Sequence, residues 1–322
     1  MPWASRRPYG FWNKLEVRRF IERSPVTVSV GGRKYSLHQP KFAEVRDGIP
    51  REMKEVLEKG GRVFVKSPKP ISTFGKRLYL VSSAGGKTIV SRPHDRKTWA
   101  GGEANKVLKR LGNWLAEEDY QPARLGGRVV ENRFYVSPFL GRGTRVFASQ
   151  GFVGQENTRS VSYGAADTRP AHEAVAELYQ RPEYGGHPKE KALALASEWT
   201  EAARKLSEKV SLRLHRGESR RAFRETGKGT PFARASFQEK TPYTEEKGAI
   251  YLNYGWAVDL SPVWREKEKR FGVALSEVQV LPAIAGVFKK RPELEEKLAA
   301  AFRQKKFLAK KTPVAAKKLK AA

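Results

Sequence analysis

Two glycine pairs, each lying inside a strand-like stretch, constrain the fold of this chain most strongly. Gly31 and Gly32 divide residues 26–37, and Gly85 and Gly86 divide residues 77–93. The flanking segments are rich in β-branched and aromatic residues, which are typical of strands. Glycine accepts the positive φ angles that a tight chain reversal requires. The sequence therefore predicts two β-hairpins, and with them a sheet whose neighbouring strands run antiparallel.

The second glycine pair opens the sequence GGKT, which resembles the end of the phosphate-binding loop of P-loop nucleotidases. The complete loop reads G-x-x-x-x-G-K-[ST] and precedes a helix, whose free N–H groups hold the phosphates. Here Val81 occupies the position of the first glycine. Ile89, Val90 and then Pro93 follow the loop, and this order favours a strand over a helix. We therefore expect a hairpin at this position and no nucleotide site.

The remaining patterns predict both helices and strands. Helices are expected at residues 51–59, 103–118 and 187–213, and two or three more from residue 262 to about 308. Strands are expected at residues 62–65, 128–136, 144–148 and 249–258. The predicted class is α+β, with a mostly antiparallel sheet and helices in the first half, a mainly helical second half, and extended basic termini.

The same patterns divide the chain into five regions. Residues 151–169 are polar and lack periodicity, as expected of a long loop or a linker between domains. The expected regions are a basic-aromatic N-terminal arm (1–25), an α+β domain (26–150), a loop or linker (151–170), a mainly helical region (171–304) and a Lys/Ala/Pro tail (305–322).

Net charge limits what the protein binds. Lys and Arg number 63 against 34 Asp and Glu, which gives a formal charge of +29. A compact fold with this excess repels itself unless a polyanion neutralises it, and the polyanion is nucleic acid or, less favoured, an anionic membrane surface. No apolar run approaches the roughly 20 residues of a membrane helix, so no membrane span is expected.

Residues for catalysis or metal binding do not form a recognisable pattern. The chain has no cysteine, which removes disulfides and thiolate metal sites, and its five histidines lack metal-ligand spacing. His94 stands beside Asp95, but adjacent residues of an extended chain point to opposite sides, so a solvated loop is the preferred interpretation. We expect no enzyme activity, no cofactor and no metal site.

The positive signals are clusters of cations that suit phosphate groups. The N-terminal arm interleaves arginines with aromatic residues; an organelle transit peptide is the alternative interpretation. Residues 139–145 place two arginines among glycines, as in a phosphate contact or a plain hairpin tip. Residues 213–224 contain five arginines, which fit an RNA contact or a solvated helix face. After Glu296 no acidic residue follows, and residues 305–322 hold seven lysines among small residues. The cations predicted to bind RNA are Arg6, Arg7, Lys14, Arg18, Arg19, Arg142, Arg145, Arg213, Arg216, Arg220, Arg221, Arg224, Lys305, Lys306, Lys310, Lys311, Lys317, Lys318 and Lys320.

The two basic ends, residues 1–19 and 303–322, resemble those of ribosomal proteins, and similar tails occur in histone-like proteins. The resemblance covers little of the chain. It implies ribosomal RNA and neighbouring ribosomal proteins as partners. The length of the chain and its Arg-rich start favour a lineage-specific structural protein of the mitochondrial ribosome, with cytoplasm or virion as alternative locations. The alternatives are a nucleic-acid enzyme or its accessory subunit, such as an RNA-modifying or DNA-packaging factor, and a non-ribosomal structural subunit of a mitochondrial or viral assembly.

Overall fold

The computed structural model describes residues 14–67, 78–93, 95–137, 145–154, 166–226, 243–246, 249–252 and 256–280, with 293–294, 296–297 and 299–300. The helices are α1 (Lys14–Glu22), α2 (Arg51–Glu58), α3 (Gly101–Arg110), α4 (Ala171–Gln180) and α5 (Lys189–Thr226). The strands are β1 (Thr27–Val30), β2 (Arg33–His38), β3 (Phe42–Glu44), β4 (Val63–Lys66), β5 (Leu78–Ala84), β6 (Lys87–Arg92), β7 (Lys97–Ala100), β8 (Leu115–Glu118), β9 (Arg124–Leu125), β10 (Arg128–Ser137), β11 (Arg145–Val153), β12 (Asp167–Arg169), β13 (Tyr243–Glu246), β14 (Ala249–Leu252), β15 (Trp256–Arg265) and β16 (Arg270–Val280).

Residues 42–118 build a six-stranded antiparallel sheet, which we call the small sheet. Its strand order is β3-β8-β4-β5-β6-β7. Val63, Val81 and Val90 project from one face and pack against Met53 of α2 and Leu108 of α3, and all five are fully buried. The other face carries Phe64 and Glu117, which are partners across the β4–β8 pair. Two helices therefore cover one face of the small sheet.

An eight-stranded sheet, the large sheet, is built from the chain on both sides of this segment. Its order is β1-β2-β16-β15-β10-β11-β12, with β9 beside the start of β10. The β2–β16 pair is parallel and the others are antiparallel. Helices α4 and α5 pack on one face, where Trp199, Phe134 and Trp256 are fully buried in a single core. The large sheet thus combines strands from both sides of residues 151–170.

Helix α5 also covers the outer edge of the large sheet. The ammonium groups of Lys205 and Lys209 donate to the backbone oxygens of Ser29 and Thr27 on the edge strand β1, at 3.4 and 2.7 Å. An open strand edge offers unpaired carbonyls to other chains. These lysines, one helical turn apart, occupy two of those acceptors.

The two hairpins and the predicted class are confirmed. β1 and β2 pair across Gly31 and Gly32, and β5 and β6 pair across Gly85 and Gly86, with all four glycines at φ between 55° and 75°. The fold is α+β with mostly antiparallel sheets. Residues 187–213 were expected to be helical, and α5 covers them from Lys189 onward.

Two helix predictions are wrong in part. Residues 115–118 form strand β8, because pairing with β3 and β4 on both sides outweighs their helical preference. The helices expected from residue 262 are replaced up to Val280 by β15 and β16, which pair over ten registered positions. The charged run that looked helical forms the tip of this hairpin, where Lys269 has φ of 48°.

The predicted loop at 151–170 is also partly strand. Its first residues, 151–153, end β11, and residues 167–169 form β12, which pairs with them. The residues between, 155–165, lie outside the described part of the chain. The segment therefore begins and ends inside the large sheet.

Candidate nucleic-acid interface

The predicted RNA-binding cations fall into four groups. Arg6, Arg7, Arg142 and the seven tail lysines Lys305, Lys306, Lys310, Lys311, Lys317, Lys318 and Lys320 lie outside the described residues. Lys14, Arg18 and Arg19 lie on α1. Arg213, Arg216, Arg220, Arg221 and Arg224 lie on the second half of α5, and Arg145 begins β11.

Arg18 does not face solvent, which corrects its assignment to an RNA surface. Its side chain is 4% exposed and pairs with Glu117 of β8, which is 1% exposed. Its guanidinium also donates to the backbone oxygens of Leu275 and Ser276 on β16, at 3.0 and 2.7 Å. Lys66 donates to the same carboxylate at 2.6 Å. Arg18 therefore joins α1 to both sheets, and its charge is neutralised inside the protein.

The other two α1 cations are also ion-paired. Lys14 lies 2.7 Å from Glu277 of β16, and Arg19 lies 3.0 Å from Glu44 of β3. The side chain of Arg19 is 47% exposed. Of the three α1 cations, Arg19 has the most exposed side chain.

Helix α5 brings Arg213 beside the end of α1. Arg213 donates to the backbone oxygens of Ser24 and Pro25, the latter at 3.2 Å. Gly217 sits so close to Phe20 that a Cβ atom there would lie 2.6 Å from the ring carbon Cζ.

Arg216 is exposed. Arg145 pairs with Glu208 of α5 at 3.3 Å and stays 54% exposed.

The five α5 arginines share one side of the helix. Their spacings from the first are 3, 7, 8 and 11 residues. At 100° per residue these positions fall within an arc of about 140°. The helix is continuous through Thr226, so the five positions lie along one side of a single helix.

A groove of about 590 Å³ lies where the small sheet meets the large sheet, and sequence reasoning missed it. Its walls are Arg62, the connector formed by residues 118–124, and the aromatic residues Tyr184 and Trp264. The connector links β8 of the small sheet to β9 of the large sheet. No local sequence signal marks this groove, since its walls come from four distant parts of the chain.

Hydrogen bonds fix the connector against both sheets. The N–H of Asp119 donates to the Arg62 backbone oxygen at 2.8 Å, and the N–H of Ala123 donates to that of Pro262 at 2.8 Å. The hydroxyl of Tyr120 hydrogen-bonds to the hydroxyls of Ser261 and Ser276, at 3.1 and 2.6 Å. Burial, followed by the charge of Glu131, raises the pKa of Tyr120, so its hydroxyl stays protonated.

The aromatic wall of the groove is a packed cluster. The rings of Tyr184 and Trp264 lie 5.7 Å apart, and each ring lies 5.1 Å from Phe271. The indole N–H of Trp264 donates to Glu266 at 2.6 Å. The hydroxyl of Tyr184 accepts from the backbone N–H of Arg124 at 3.0 Å. Both rings remain partly exposed, so their outer surfaces line the groove.

Two arginines and two carboxylates supply the charges of the groove, and Asp119 is the buried one of the two carboxylates. Arg62 lies 3.1 Å from Oδ2 of Asp119, a residue that is 9% exposed. Oδ2 itself is buried, and Arg62 is the cation beside it. Arg124 donates to the backbone oxygen of Gly127 at 2.7 Å. The charged residues that line the groove are therefore two arginines, Arg62 and Arg124, and two carboxylates, Glu118 and Asp119.

The described residues offer no metal cluster and no membrane-spanning helix. No group of three or more His, Asp or Glu side chains converges among them. No helix within the described ranges has the length and apolar character needed to cross a bilayer. Asp95 accepts hydrogen bonds from Arg92, which hold the pKa of Asp95 at about 2. His94, its neighbour in the sequence, lies outside the described residues.

Neither a protein-family model nor a curated protein sequence matches this chain.

Proposed function

We propose that this protein is a structural RNA-binding component of a ribonucleoprotein particle, namely the mitochondrial ribosome, where it contacts ribosomal RNA and neighbouring ribosomal proteins. Its net charge of +29 supports a polyanionic partner. The proposal gives the protein no catalytic role.

The row of arginines on α5 carries this proposal. Arginine pairs with phosphate through two parallel N–H bonds, and it also stacks on bases. A continuous helix holds the five positions on one side, so they can follow the phosphates of one RNA backbone. Arg216 is exposed and forms no ion pair with any of the described residues.

Some cations of the protein are neutralised by its own carboxylates, whereas others are exposed and outside the described ion pairs. Glu117, Glu277 and Glu208 are used by cations of the body. Lys106, Lys109 and Arg110 on α3 are instead exposed, and the described ion pairs do not include them. Cations of this second kind are available to an external polyanion.

Salt dependence of RNA binding tests the proposal in vitro. If about ten phosphates are neutralised, the slope of log K against log salt for structured RNA is roughly −9. Replacing Arg216, Arg220, Arg221 and Arg224 with Gln makes the slope shallower by roughly three to four. The matched control replaces Lys54, Lys59, Lys189 and Lys191 with Gln, which removes the same charge from exposed positions on α2, at its C-cap and on α5, and it leaves most of the slope. A flat salt response of the unaltered protein would reject RNA as the partner.

Sedimentation tests the ribosomal part of the proposal. Tagged full-length protein, expressed in its source cell, is expected to co-sediment with mitochondrial ribosomal RNA in a sucrose gradient. Deletion of residues 305–322 reduces that co-sedimentation, because the seven tail lysines are lost. Absence of the full-length protein from every fraction that contains ribosomal RNA would exclude the ribosome while leaving RNA binding open to the in vitro test.

A further inference from the structure

We propose that a ridge of cations, formed by α5 and the residue that follows α1, binds the phosphate backbone of double-stranded RNA. The ridge consists of Arg23, Lys209, Arg213 and Arg216. This inference rests on the proposed RNA-binding function and adds to it a surface and a class of RNA. The sequence pattern marked only Arg213 and Arg216, whereas the structure brings the other two cations beside them.

The three α5 residues of the ridge lie along one narrow side of the helix. Arg213 and Arg216 follow Lys209 by four and seven residues. At 100° and 1.5 Å per residue, all three fall within an arc of about 60° and span about 10 Å of the helix axis. Arg213 donates to the backbone oxygen of Pro25 at 3.2 Å, and Arg23 lies two residues before Pro25. The fourth cation therefore lies beside the other three.

The charges of the ridge are not cancelled by carboxylates of the described residues. Lys209 donates to the backbone oxygen of Thr27 at 2.7 Å, and Arg213 donates to two backbone oxygens. A carbonyl group carries no net charge, so these bonds position the cations and leave their charge in place. An ammonium has three N–H donors and a guanidinium has five, so both keep donors for a phosphate. Arg23 and Arg216 are exposed, and neither belongs to a described ion pair.

Acidic residues at the margins of the ridge offset only part of its charge. Glu201, one to two helical turns before the ridge, pairs with Arg204 and Lys205 at 2.7 and 3.6 Å. Glu22, next to Arg23 in the chain, is exposed. Glu22 offsets one of the four cations, which leaves three positive charges in excess. A phosphate backbone releases counterions when such cations neutralise it, and this release favours binding.

The side chains of the ridge suit a duplex better than a single strand. Proteins bind double-stranded RNA mainly through its phosphates and 2′-hydroxyls, which the regular helix holds at fixed spacing. Sites for single strands usually combine cations with exposed aromatic rings on which the bases stack. The ridge has no aromatic member, and the neighbouring ring of Phe20 packs against Gly217 and the core. A row of positioned cations without a stacking surface matches the phosphates of a duplex.

Binding of the full-length protein to two fluorescent RNAs tests the ridge. The RNAs are a blunt-ended duplex without loops and a uridine oligomer of the same length. Arg23→Gln combined with Lys209→Gln is expected to make the slope of log K against log salt shallower by about two for the duplex. The slope for the uridine oligomer is expected to change less, because single strands have other cations of the chain to bind.

The matched control combines Lys54→Gln with Lys59→Gln, which removes the same charge from exposed positions on α2 and at its C-cap. The control is expected to leave the slope for the duplex nearly unchanged. An equal loss of slope in the variant and the control, or an equal loss with both RNAs, would overturn the ridge.

Lysine footprinting of the unaltered protein keeps the test independent of how the variants fold. A saturating amount of the duplex is expected to remove most of the labelling of Lys209 by an amine-reactive reagent, while Lys54 is labelled as before. Labelling of Lys209 that the duplex does not change would overturn the inference. Failure of the full-length protein to bind any RNA would instead reject the proposed function on which the inference rests.

Discussion

Replacing Arg18 with Met tests that Arg18 is a buried structural cation and not an RNA-binding one. Met matches the length of the arginine stem and is apolar. The substitution leaves the carboxylate of Glu117, which is 1% exposed, with Lys66 as its remaining cation, and it removes the donor from two backbone oxygens of β16. Breaking a buried ion pair on one side costs about 3–5 kcal/mol. Because Lys66 stays 2.6 Å from the carboxylate, we expect a loss near the lower end, about 3 kcal/mol.

Urea unfolding followed by tryptophan fluorescence measures this loss. Arg19→Met is the matched control, since it changes the next residue of the same helix, whose side chain is 47% exposed and pairs with Glu44. An exposed ion pair contributes about 0–1 kcal/mol, so the control should unfold near the midpoint of the unaltered protein. An Arg18→Met protein within 0.5 kcal/mol of the unaltered one, on the order of the spread for surface substitutions, would refute the burial of this cation.

Three further substitutions test other parts of the fold. Trp199→Phe is expected to lower stability by about 1–3 kcal/mol in urea unfolding, because the indole N–H that donates to the Gly272 backbone oxygen is lost from a fully buried site; a smaller change would mean that this bond is not maintained in solution. Gly217→Val is expected to cost about 1–3 kcal/mol by thermal unfolding, because its side chain would displace the ring of Phe20; an unchanged melting temperature would contradict that contact. The glycine turn before Lys87 leads into strand β6 and not into a helix, so neither the unaltered protein nor Lys87→Ala is expected to bind ATP detectably by calorimetry. Measurable ATP binding that this substitution abolishes would reject the hairpin interpretation.

The sequence alone determined the glycine turns, the strands beside them and helix α5. Gly31 and Gly85 mark their turns because positive φ is a property of single residues, and the strands that flank them alternate with a period of two. Helix α5 was predictable from the sequence because its apolar positions recur at helical spacing. In the structure such positions, among them Trp199 and Leu206, are fully buried. The charge excess and the absence of cysteine required no structure at all.

Tertiary structure decided which cations are buried and which strands form. Arg18 looks like any other arginine of a basic arm, and its partners Glu117 and Leu275 lie 99 and 257 residues away. Residues 115–118 and 270–280 became strands because neighbouring strands supplied hydrogen-bond partners that a local window does not contain. The groove has the same origin, since Arg62, Asp119 and Trp264 meet only when the small sheet packs beside the large one. Short-range preference fixes turns and helical stripes, whereas burial and pairing between distant residues depend on the whole fold.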